Sequence, residues 1–377
     1  MRILYVATDA EIGGAEVLLE TLGKHRQAGD EVDLVVLMGP GALSDRLERA
    51  MDSVTYLGFG EQSRNPFAMA AALNRVVAER QPDVIRSHMF HADLVVALLH
   101  ASTAARVTTI HTQRFGRGVH PLTRIVARGV ALLSRRFDAV IATSEGAADF
   151  ARRYRYAHEP HRVPNAVGLA ETPAFSPRSR AFLSLARFHP VKGHAELFAA
   201  FAACATDYPD WRLICAGPGV EVDNVDVMAL IDRAQARHLV DDGRIELLGA
   251  VQDVGALMGR SSALVISSTY GESAPIVGVE ALAHSIPVIT TDVGVSKHYS
   301  EPALVAAPGS VDDLARVLGH YAGLSDDERA ALSVAARERC IADFGIETVI
   351  SELEGVYRAA IARHDARGQR RSRAARR

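Results

Sequence analysis

Short apolar runs alternate with amphipathic stretches along this chain, and that alternation limits its fold more than any other feature. In the first half, the runs that favour β-strands cover residues 2–8, 31–37, 83–87, 107–110 and 139–143. Segments with helical spacing of apolar residues separate them. Strands and helices that alternate in this way form a parallel sheet covered by helices on both faces. The first half is therefore predicted to be one doubly wound α/β domain.

The same alternation restarts after an interruption rich in glycine, proline and charged residues. Strands are predicted in this second half at residues 181–186, 211–216, 244–248, 263–267 and 286–290. A chain of 377 residues also exceeds what one hydrophobic core usually supports. We therefore predict a first Rossmann-like domain at 1–166, a linker at 167–180 and a second Rossmann-like domain at 181–345. Ligands of such sheets bind at the carboxyl ends of the strands, so a cleft between the two domains is the expected site.

The end of the chain is predicted to leave the second domain. Residues 346–362 have the pattern of a helix that crosses back toward the first domain. Residues 363–377 hold seven arginines and one aspartate and therefore carry +6, whereas the whole chain carries −3. We expect a disordered basic tail, and attraction to anionic lipid or another polyanion is the functional alternative.

Composition excludes several classes of protein. A hydrophobic share of 48% and a charged share of 23% are typical of a globular protein, and the slight negative charge counts against nucleic-acid binding. The three cysteines show neither metal-ligand nor disulfide spacing, which predicts reduced thiols. No signal-peptide pattern and no apolar run of roughly 18 residues occur. The chain is expected to be cytoplasmic, with peripheral contact at the inner face of a membrane as a further expectation.

The segment from 267 to 294 carries the strongest chemical signal. Gly271 permits a turn after a strand, Ser273 can cap a helix, and Pro275 suits the first helical position. Glu272 precedes this helix and Glu280 lies inside it. Helix N-termini attract phosphate, and ionised carboxylates accept hydrogen bonds from hydroxyl pairs. The pattern fits a nucleoside diphosphate sugar, whereas a lone glutamate in either place would only satisfy the helix dipole or face solvent.

Three further groups follow predicted strands. Arg187 and Lys192 follow the first strand of the second domain, where a pyrophosphate could bridge them, although two loop cations are often merely solvated. Gly13 and Gly14 follow the first strand of the chain and would let a ligand approach the backbone, or would simply form a turn. They lack the full dinucleotide-binding fingerprint G-x-G-x-x-G.

Histidines also collect at strand ends in the first domain. His111 is predicted to point into the cleft and contact a sugar, whereas His88 and His91 are interpreted as structural. A metal site of the three is conceivable, but no carboxylate has the spacing to complete it. The segment after His111 is basic and amphipathic, which favours either an anionic partner or an ordinary solvated helix. Its arginines are Arg114, Arg117, Arg124, Arg128, Arg135 and Arg136.

Taken together, these segments resemble the retaining glycosyltransferases of family four, which have the GT-B architecture of two Rossmann-like domains facing across a cleft. The resemblance covers nearly the whole chain. Its landmarks are Gly13-Gly14 with Glu16, His111-Thr112, TSEGAADF at 143–150, VPNAV at 163–167, ARFHPVKG at 186–193, AGPG at 216–219 and the E-x7-E pair Glu272 and Glu280. Where the family often has glycine three residues after the first glutamate, this chain has Pro275, a variant also seen in the family.

The resemblance implies a sugar transferase that takes its donor from a UDP- or GDP-linked sugar and retains the anomeric configuration. By this resemblance, Arg187 and Lys192 hold the pyrophosphate, Glu280 the ribose hydroxyls and Glu272 the hydroxyls of the donor sugar. Gly271 and the backbone near Ser273 and Ala274 assist at the phosphate, and His111 lies beside the transferred sugar.

No metal and no cofactor are expected, since the nucleotide sugar is a substrate and no D-x-D motif stands where a metal-dependent transferase needs one. The acceptor is expected to be a hydroxyl of a saccharide or a lipid-linked saccharide. Two other functions remain open at this point: a nucleotide-sugar epimerase or hydrolase on the same architecture, and a binding subunit without catalysis.

Overall fold

The computed structural model describes residues 1–60, 63, 65–100, 104–115 and 120–375 of the 377. The chain divides into two compact units. Unit 1 consists of Met1–Ala166 and Ile346–Arg377, and unit 2 of Val167–Gly345. Within the described ranges, no helix is both long and apolar enough to cross a bilayer.

Unit 1 is built on a seven-stranded sheet in the order β3-β2-β1-β4-β5-β6-β7, with every neighbouring pair parallel. The strands are β1 (Arg2–Ala7), β2 (Glu31–Val36), β3 (Ser53–Tyr56), β4 (Val84–His88), β5 (Ala105–Ile110), β6 (Ala139–Ala142) and β7 (His161–Arg162). The helices are α1 (Gly14–Lys24), α2 (Ser44–Ala50), α3 (Pro66–Arg80), α4 (Phe90–Leu98), α5 (Pro121–Leu133) and α6 (Glu145–Arg153).

Unit 2 has a six-stranded parallel sheet in the order β10-β9-β8-β11-β12-β13. Its strands are β8 (Ala181–Leu185), β9 (Arg212–Ala216), β10 (Ile245–Leu247), β11 (Ala263–Ile266), β12 (Val288–Thr291) and β13 (Val305–Ala306). Its helices are α7 (His194–Asp207), α8 (Val225–Arg233), α9 (Arg237–Asp241), α10 (Val254–Arg260), α11 (Ile276–Ala283), α12 (Val311–Gly323) and α13 (Asp326–Phe344).

Each sheet is the centre of its own core. The central strands are buried along their whole length, as β5, β6 and β11 are, because helices cover both faces of a parallel sheet. Separate apolar clusters form around the two sheets, with Phe137 and Phe150 in unit 1 and Phe182 and Phe201 in unit 2. The prediction of two doubly wound α/β domains is confirmed.

The last helix differs from its prediction. Helix α14 runs through Ile346–Ala375 and packs against β5 and β6, so the helix does not end near residue 362 and residues 363–375 are not a disordered tail. Contacts with unit 1 explain the difference. Arg363 donates to the carbonyl of Asp138, and His364 and Arg367 contact the Asp138 carboxylate at 3.1 and 2.7 Å. Arginine is also a good helix former, so the composition that indicated a tail is compatible with a helix.

Candidate active site

Three loops meet at the carboxyl edge of the sheet in unit 2. The amide of Phe188, after β8, donates to the carbonyl of Pro218, after β9, at 2.8 Å. The amide of Thr269, after β11, donates to the carbonyl of Val191 at 2.9 Å. These backbone hydrogen bonds link the loops after β8, β9 and β11. The loops that carry the residues predicted to bind a ligand are therefore held together.

The loop after β8 is set by a glycine in a conformation that other residues rarely adopt. Gly193 has a φ of 68°, and a Cβ there would lie 2.0 Å from the carbonyl oxygen of Ser267. The Ser267 hydroxyl donates to the carbonyl of Lys192 at 2.8 Å. The start of α7 therefore lies directly against the end of β11, which fixes the position of Lys192.

Lys192 and Glu272 form an ion pair through Nζ and Oε1. The Ser268 hydroxyl donates to the same carboxylate oxygen at 3.2 Å. Both charged side chains are largely buried, with 25% of Lys192 and 13% of Glu272 exposed. The two residues had been predicted to bind different parts of a donor. The structure places a cation and a carboxylate in direct contact, eighty residues apart in sequence.

Helix α11 begins at Ile276, and Pro275 is its N-cap residue rather than its first helical residue. The side chain of Pro275 makes no cap hydrogen bond, and the capping role of Ser273 stays a prediction. The chain instead reaches α11 through a turn at Gly271, whose φ is 78°, and a close contact of Gly294 with the carbonyls of Glu272 and Ser273. Since Pro275 has no amide hydrogen, the amides that start the helix come from its neighbours.

Glu280 is the fifth residue of α11 and is half-buried among apolar neighbours on the same helix. At ~1.5 Å per residue, its Cα lies about 6 Å along the axis from the start of the helix. Gly278, two residues earlier, lies against the buried ring of Tyr299, where a Cβ would be 2.3 Å from Cδ2. This contact fixes the packing of α11 and with it the position of Glu280.

Arg187 is exposed at the start of the β8 loop and forms no ion pair with any residue in the described part of the chain. Burial lowers the pKa of His189 in the same loop, and the charges of Arg187 and Lys192 lower it further. The nearby Glu272 acts in the opposite direction. The loop after β8 is therefore a region of positive potential with one exposed guanidinium.

In unit 1, His111 follows β5 and contacts His88 at the end of β4. His88 Nδ1 lies 3.2 Å from His111 Nε2, and the His88 ring packs edge-on against Tyr5. Arg86, also buried, donates to Thr109 Oγ1 at 2.8 Å and to the Tyr357 hydroxyl of α14 at 3.0 Å. Burial lowers the pKa of His111 to about 3, and the charge of Arg86 contributes. His111 is thus a neutral imidazole.

His91 does not join this pair in a metal site. Among the described residues, no group of three histidine, cysteine, aspartate or glutamate side chains could hold a metal ion. His88, which had been interpreted as structural, is the direct partner of His111.

We expect the proton shared by the two histidines to lie on His88 Nδ1. If His111 donated instead, neutral His88 would carry its hydrogen on Nε2, which is buried without a partner. A buried orphan N–H is rarer than a buried orphan acceptor. His111 should therefore accept at Nε2 and carry its own hydrogen on Nδ1, available to a ligand.

Nitrogen-15 NMR of histidine-labelled protein checks this expectation. The His111 signals should show a protonated Nδ1, and they should not titrate between pH 5 and 8. Because the folded pKa lies below the unfolded value of about 6.5, the unfolded state binds a proton first, so the free energy of unfolding falls as pH drops from about 6.5 toward 3 and does not depend on His111 at higher pH. A hydrogen on Nε2, or a titration near pH 6.5, would contradict the assignment.

Gly13 is the N-cap residue of α1 and Gly14 its first residue, where the sequence had predicted a turn between strand and helix, and the structure gives Gly13 a local role as well. A Cβ at Gly13 would lie 2.3 Å from the Glu16 carboxylate, so the glycine leaves room for that side chain. Burial raises the pKa of Glu16 to about 7, and the charge of Asp9 adds to this. The glycine pair remains a predicted ligand contact.

Both halves of the chain match families of known proteins. Residues 12–171 match the profile of Glycosyltransferase Family 4, and residues 171–339 match that of Glycosyl transferases group 1. The chain is a GT-B glycosyltransferase. The resemblance to family four and the GT-B fold predicted from the sequence are both confirmed, and retention of the anomeric configuration stays a prediction.

The relatives of this glycosyltransferase are distant in sequence. A phosphatidyl-myo-inositol mannosyltransferase of Mycolicibacterium smegmatis is 27% identical over 328 residues, which cover 83% of this chain and 81% of that protein. A GDP-mannose:cellobiosyl-diphosphopolyprenol alpha-mannosyltransferase of Xanthomonas campestris is 26% identical, covering 78% and 79%. An exopolysaccharide phosphotransferase of Streptomyces coelicolor is 26% identical over 54% of this chain, but the match spans only 21% of its own length.

Solved structures show the same fold. The Anabaena protein HepE, crystallised with UDP, superposes with a TM-score of 0.76 at 21% identity, covering 94% of this glycosyltransferase and 99% of that chain.

Proposed function

We propose that this glycosyltransferase moves a sugar from a nucleoside diphosphate sugar to an acceptor hydroxyl, with retention of the anomeric configuration and without a metal. The observation that carries the proposal is the Lys192–Glu272 pair at the start of α11. It sets a cation and a carboxylate beside a helix N-terminus, and Glu280 lies farther along the same helix. This order of groups is complementary to sugar hydroxyls, diphosphate and ribose.

In this proposal Lys192 and the exposed Arg187 bind the diphosphate. Glu272 accepts from hydroxyls of the donor sugar and Glu280 from those of the ribose. Gly271, Ser273 and Ala274 bring backbone amides to the phosphate at the start of α11. Lys192 then contacts both Glu272 and the donor, so the ion pair orients the cation before the donor arrives.

The chemistry follows from the same groups. The bond between the anomeric carbon and the phosphate oxygen breaks, and its electron pair leaves with the diphosphate. Lys192, Arg187 and the helix dipole stabilise this charge, a role that metals fill in other transferases. The acceptor oxygen attacks from the face the diphosphate leaves, and its proton passes to a phosphate oxygen. His111 contacts the transferred sugar in this scheme.

The acceptor is proposed to be a saccharide or lipid-linked saccharide in glycan, polysaccharide or glycolipid synthesis, reached by peripheral contact with a membrane. The names of the two mannosyltransferase relatives support this class, since both specify phosphate-bearing lipids. The donor base is left between uracil and guanine, because one relative is named for GDP-mannose and the HepE structure contains UDP.

A thermal-shift panel of UDP- and GDP-sugars, with UDP, GDP and free sugars as controls, tests the proposal. A donor at 100 times its Kd should stabilise the protein by about 2.7 kcal/mol, which raises Tm by roughly 5–10 °C. The shift should persist in EDTA. Proton NMR of the product formed with the best donor and a lipid-linked acceptor should show the donor's anomeric configuration.

Two results would contradict this function. The absence of a shift with every nucleotide sugar would remove the donor assignment. Rapid conversion of the donor without any acceptor would indicate a hydrolase or an epimerase instead.

A further inference from the structure

A groove of about 260 Å³ opens on unit 1, at the basic segment that follows His111. We call it the arginine groove, and its lining consists of Arg114, Phe115, Arg124, Arg128, Phe150, Arg153 and Tyr154. Its aromatic residues pack on each other. The rings of Phe150 and Tyr154 stack at 4.3 Å, and Phe115 meets Phe150 edge-on at 5.4 Å. The groove therefore has a rigid apolar base with guanidinium groups around it.

Among the described residues, none of those that line the arginine groove is a carboxylate. The nearby acids on α6 already have a partner, because Glu145 and Asp149 bind Arg152 at 2.8 and 2.9 Å. Arg124 and Arg128 lie one helical turn apart on the same face of α5. Guanidinium groups bind phosphate through paired hydrogen bonds.

Helix α5 carries an apolar stripe beside these arginines. Leu122, Ile125 and Leu132 are 37%, 61% and 84% exposed. At about 100° per residue, these three side chains form one stripe along the helix, and Arg124 and Arg128 form the stripe beside it. The buried Ala127 and Val130 form the stripe that faces the core. Exposure of large apolar side chains to water is unfavourable, so this face is suited to a partner that is both apolar and anionic.

We propose that the arginine groove and the exposed stripe of α5 bind the surface of an anionic membrane, with a lipid phosphate held in the groove. The charge of the groove selects the phosphate, and the apolar stripe enters the interface beside it. At about 260 Å³ the groove is smaller than the roughly 300–1,000 Å³ of pockets that enclose a whole drug-sized ligand, which fits a headgroup. The inference rests on the proposed function only in naming a lipid-linked acceptor as the reason for this contact.

The test uses flotation of the full chain with two kinds of vesicle, phosphatidylcholine alone and phosphatidylcholine mixed with phosphatidylglycerol. We expect binding to the mixed vesicles only. The double variant Arg128→Ala/Arg153→Ala should weaken it by about 30-fold, since each arginine near an anionic surface contributes about fivefold. The variant Ile125→Ser should weaken binding with the charge unchanged.

A matched control is the double variant Arg49→Ala/Arg75→Ala. Both residues are exposed on helices of the same unit and lie outside the arginine groove, so the loss of charge is equal. It should weaken flotation by no more than a few-fold. Equal losses in the two double variants would overturn the proposal, because attraction would then depend on net charge alone.

Two further measurements are needed. The first distinguishes a lipid phosphate from inorganic phosphate as the ligand of the groove, and the second distinguishes failure of the groove assignment from failure of the donor assignment. If wild-type protein ignores the mixed vesicles but binds inorganic phosphate at the groove, as followed by arginine side-chain NMR, the membrane surface is overturned. The thermal shift with the best nucleotide sugar should be the same in the groove variant and in wild type. A protein that floats selectively but responds to no nucleotide sugar would keep the groove assignment and lose the donor assignment.

Discussion

Replacing Lys192 with alanine is expected to lower turnover by about 10²–10³-fold, the usual loss when one group that stabilises developing negative charge is removed. Lys192 is the cation held against Glu272 at the start of α11. The variant removes charge at the leaving diphosphate and also releases the carboxylate that faces the donor sugar. Steady-state kinetics with the donor found by thermal shift measure both kcat and KM.

The loss should come from chemistry rather than from unfolding. Glu272 keeps the Ser268 hydroxyl as a partner at 3.2 Å, so the free energy of unfolding should change by only about 1 kcal/mol. The control is Lys24→Ala, because Lys24 is half-exposed and its partner Glu20 retains Arg46. That variant should be as active as wild type. Wild-type turnover in the Lys192 variant would remove this lysine from the mechanism.

Gly193→Ala should give the largest loss of stability among substitutions at the site. A side chain at a φ of 68° costs about 1–2 kcal/mol. The new Cβ would lie 2.0 Å from the Ser267 carbonyl oxygen, and moving the two groups apart adds roughly 1–3 kcal/mol. We therefore expect the free energy of unfolding of unit 2 to fall by about 2–5 kcal/mol. Donor affinity should fall as well, because Lys192 precedes this residue.

Gly243→Ala is the matched control. Gly243 has nearly the same φ, 69°, but nothing lies within 4 Å of the position a Cβ would take. It should cost only the backbone part, about 1–2 kcal/mol. Urea unfolding followed by fluorescence reports on unit 2 alone, since Trp211 is the only tryptophan in the chain and is buried there. Equal losses of unfolding free energy in the two variants would mean that the clash of the new Cβ with the Ser267 carbonyl does not destabilise unit 2.

Local patterns in the sequence predicted most of the strands of both units. Runs such as 181–186 and 211–216 became β8 and β9 because central parallel strands are buried on both faces and are apolar throughout. The segments with helical spacing between these runs became helices, such as α3, which begins at Pro66 because Asn65 caps it and proline suits the first helical position. Elements without such signals were missed. Strand β3 is only half-buried, and β7 has two residues.

Contacts between distant segments could not be predicted in this way. Nothing near Lys192 indicates that it meets Glu272, because that contact depends on β8 and β11 being neighbours in the sheet. Adjacent strand ends did suggest that His88 and His111 lie close together. The hydrogen bond between them depends on the rotamers of both side chains, which the sequence does not indicate. The length of α14 was missed for the same reason, since Asp138 binds its arginine side chains from another part of the chain.

Calorimetric titration of the best nucleotide-sugar donor into wild type and Glu280→Ala tests the central claim most directly. The claim is that α11 holds the donor between its N-terminus and this carboxylate. Loss of hydrogen bonds to a charged group should weaken the Kd by about 10- to 100-fold. Glu246→Ala, in β10 of the same unit and also half-buried, should leave the Kd unchanged. An unchanged Kd in the Glu280 variant would contradict the account.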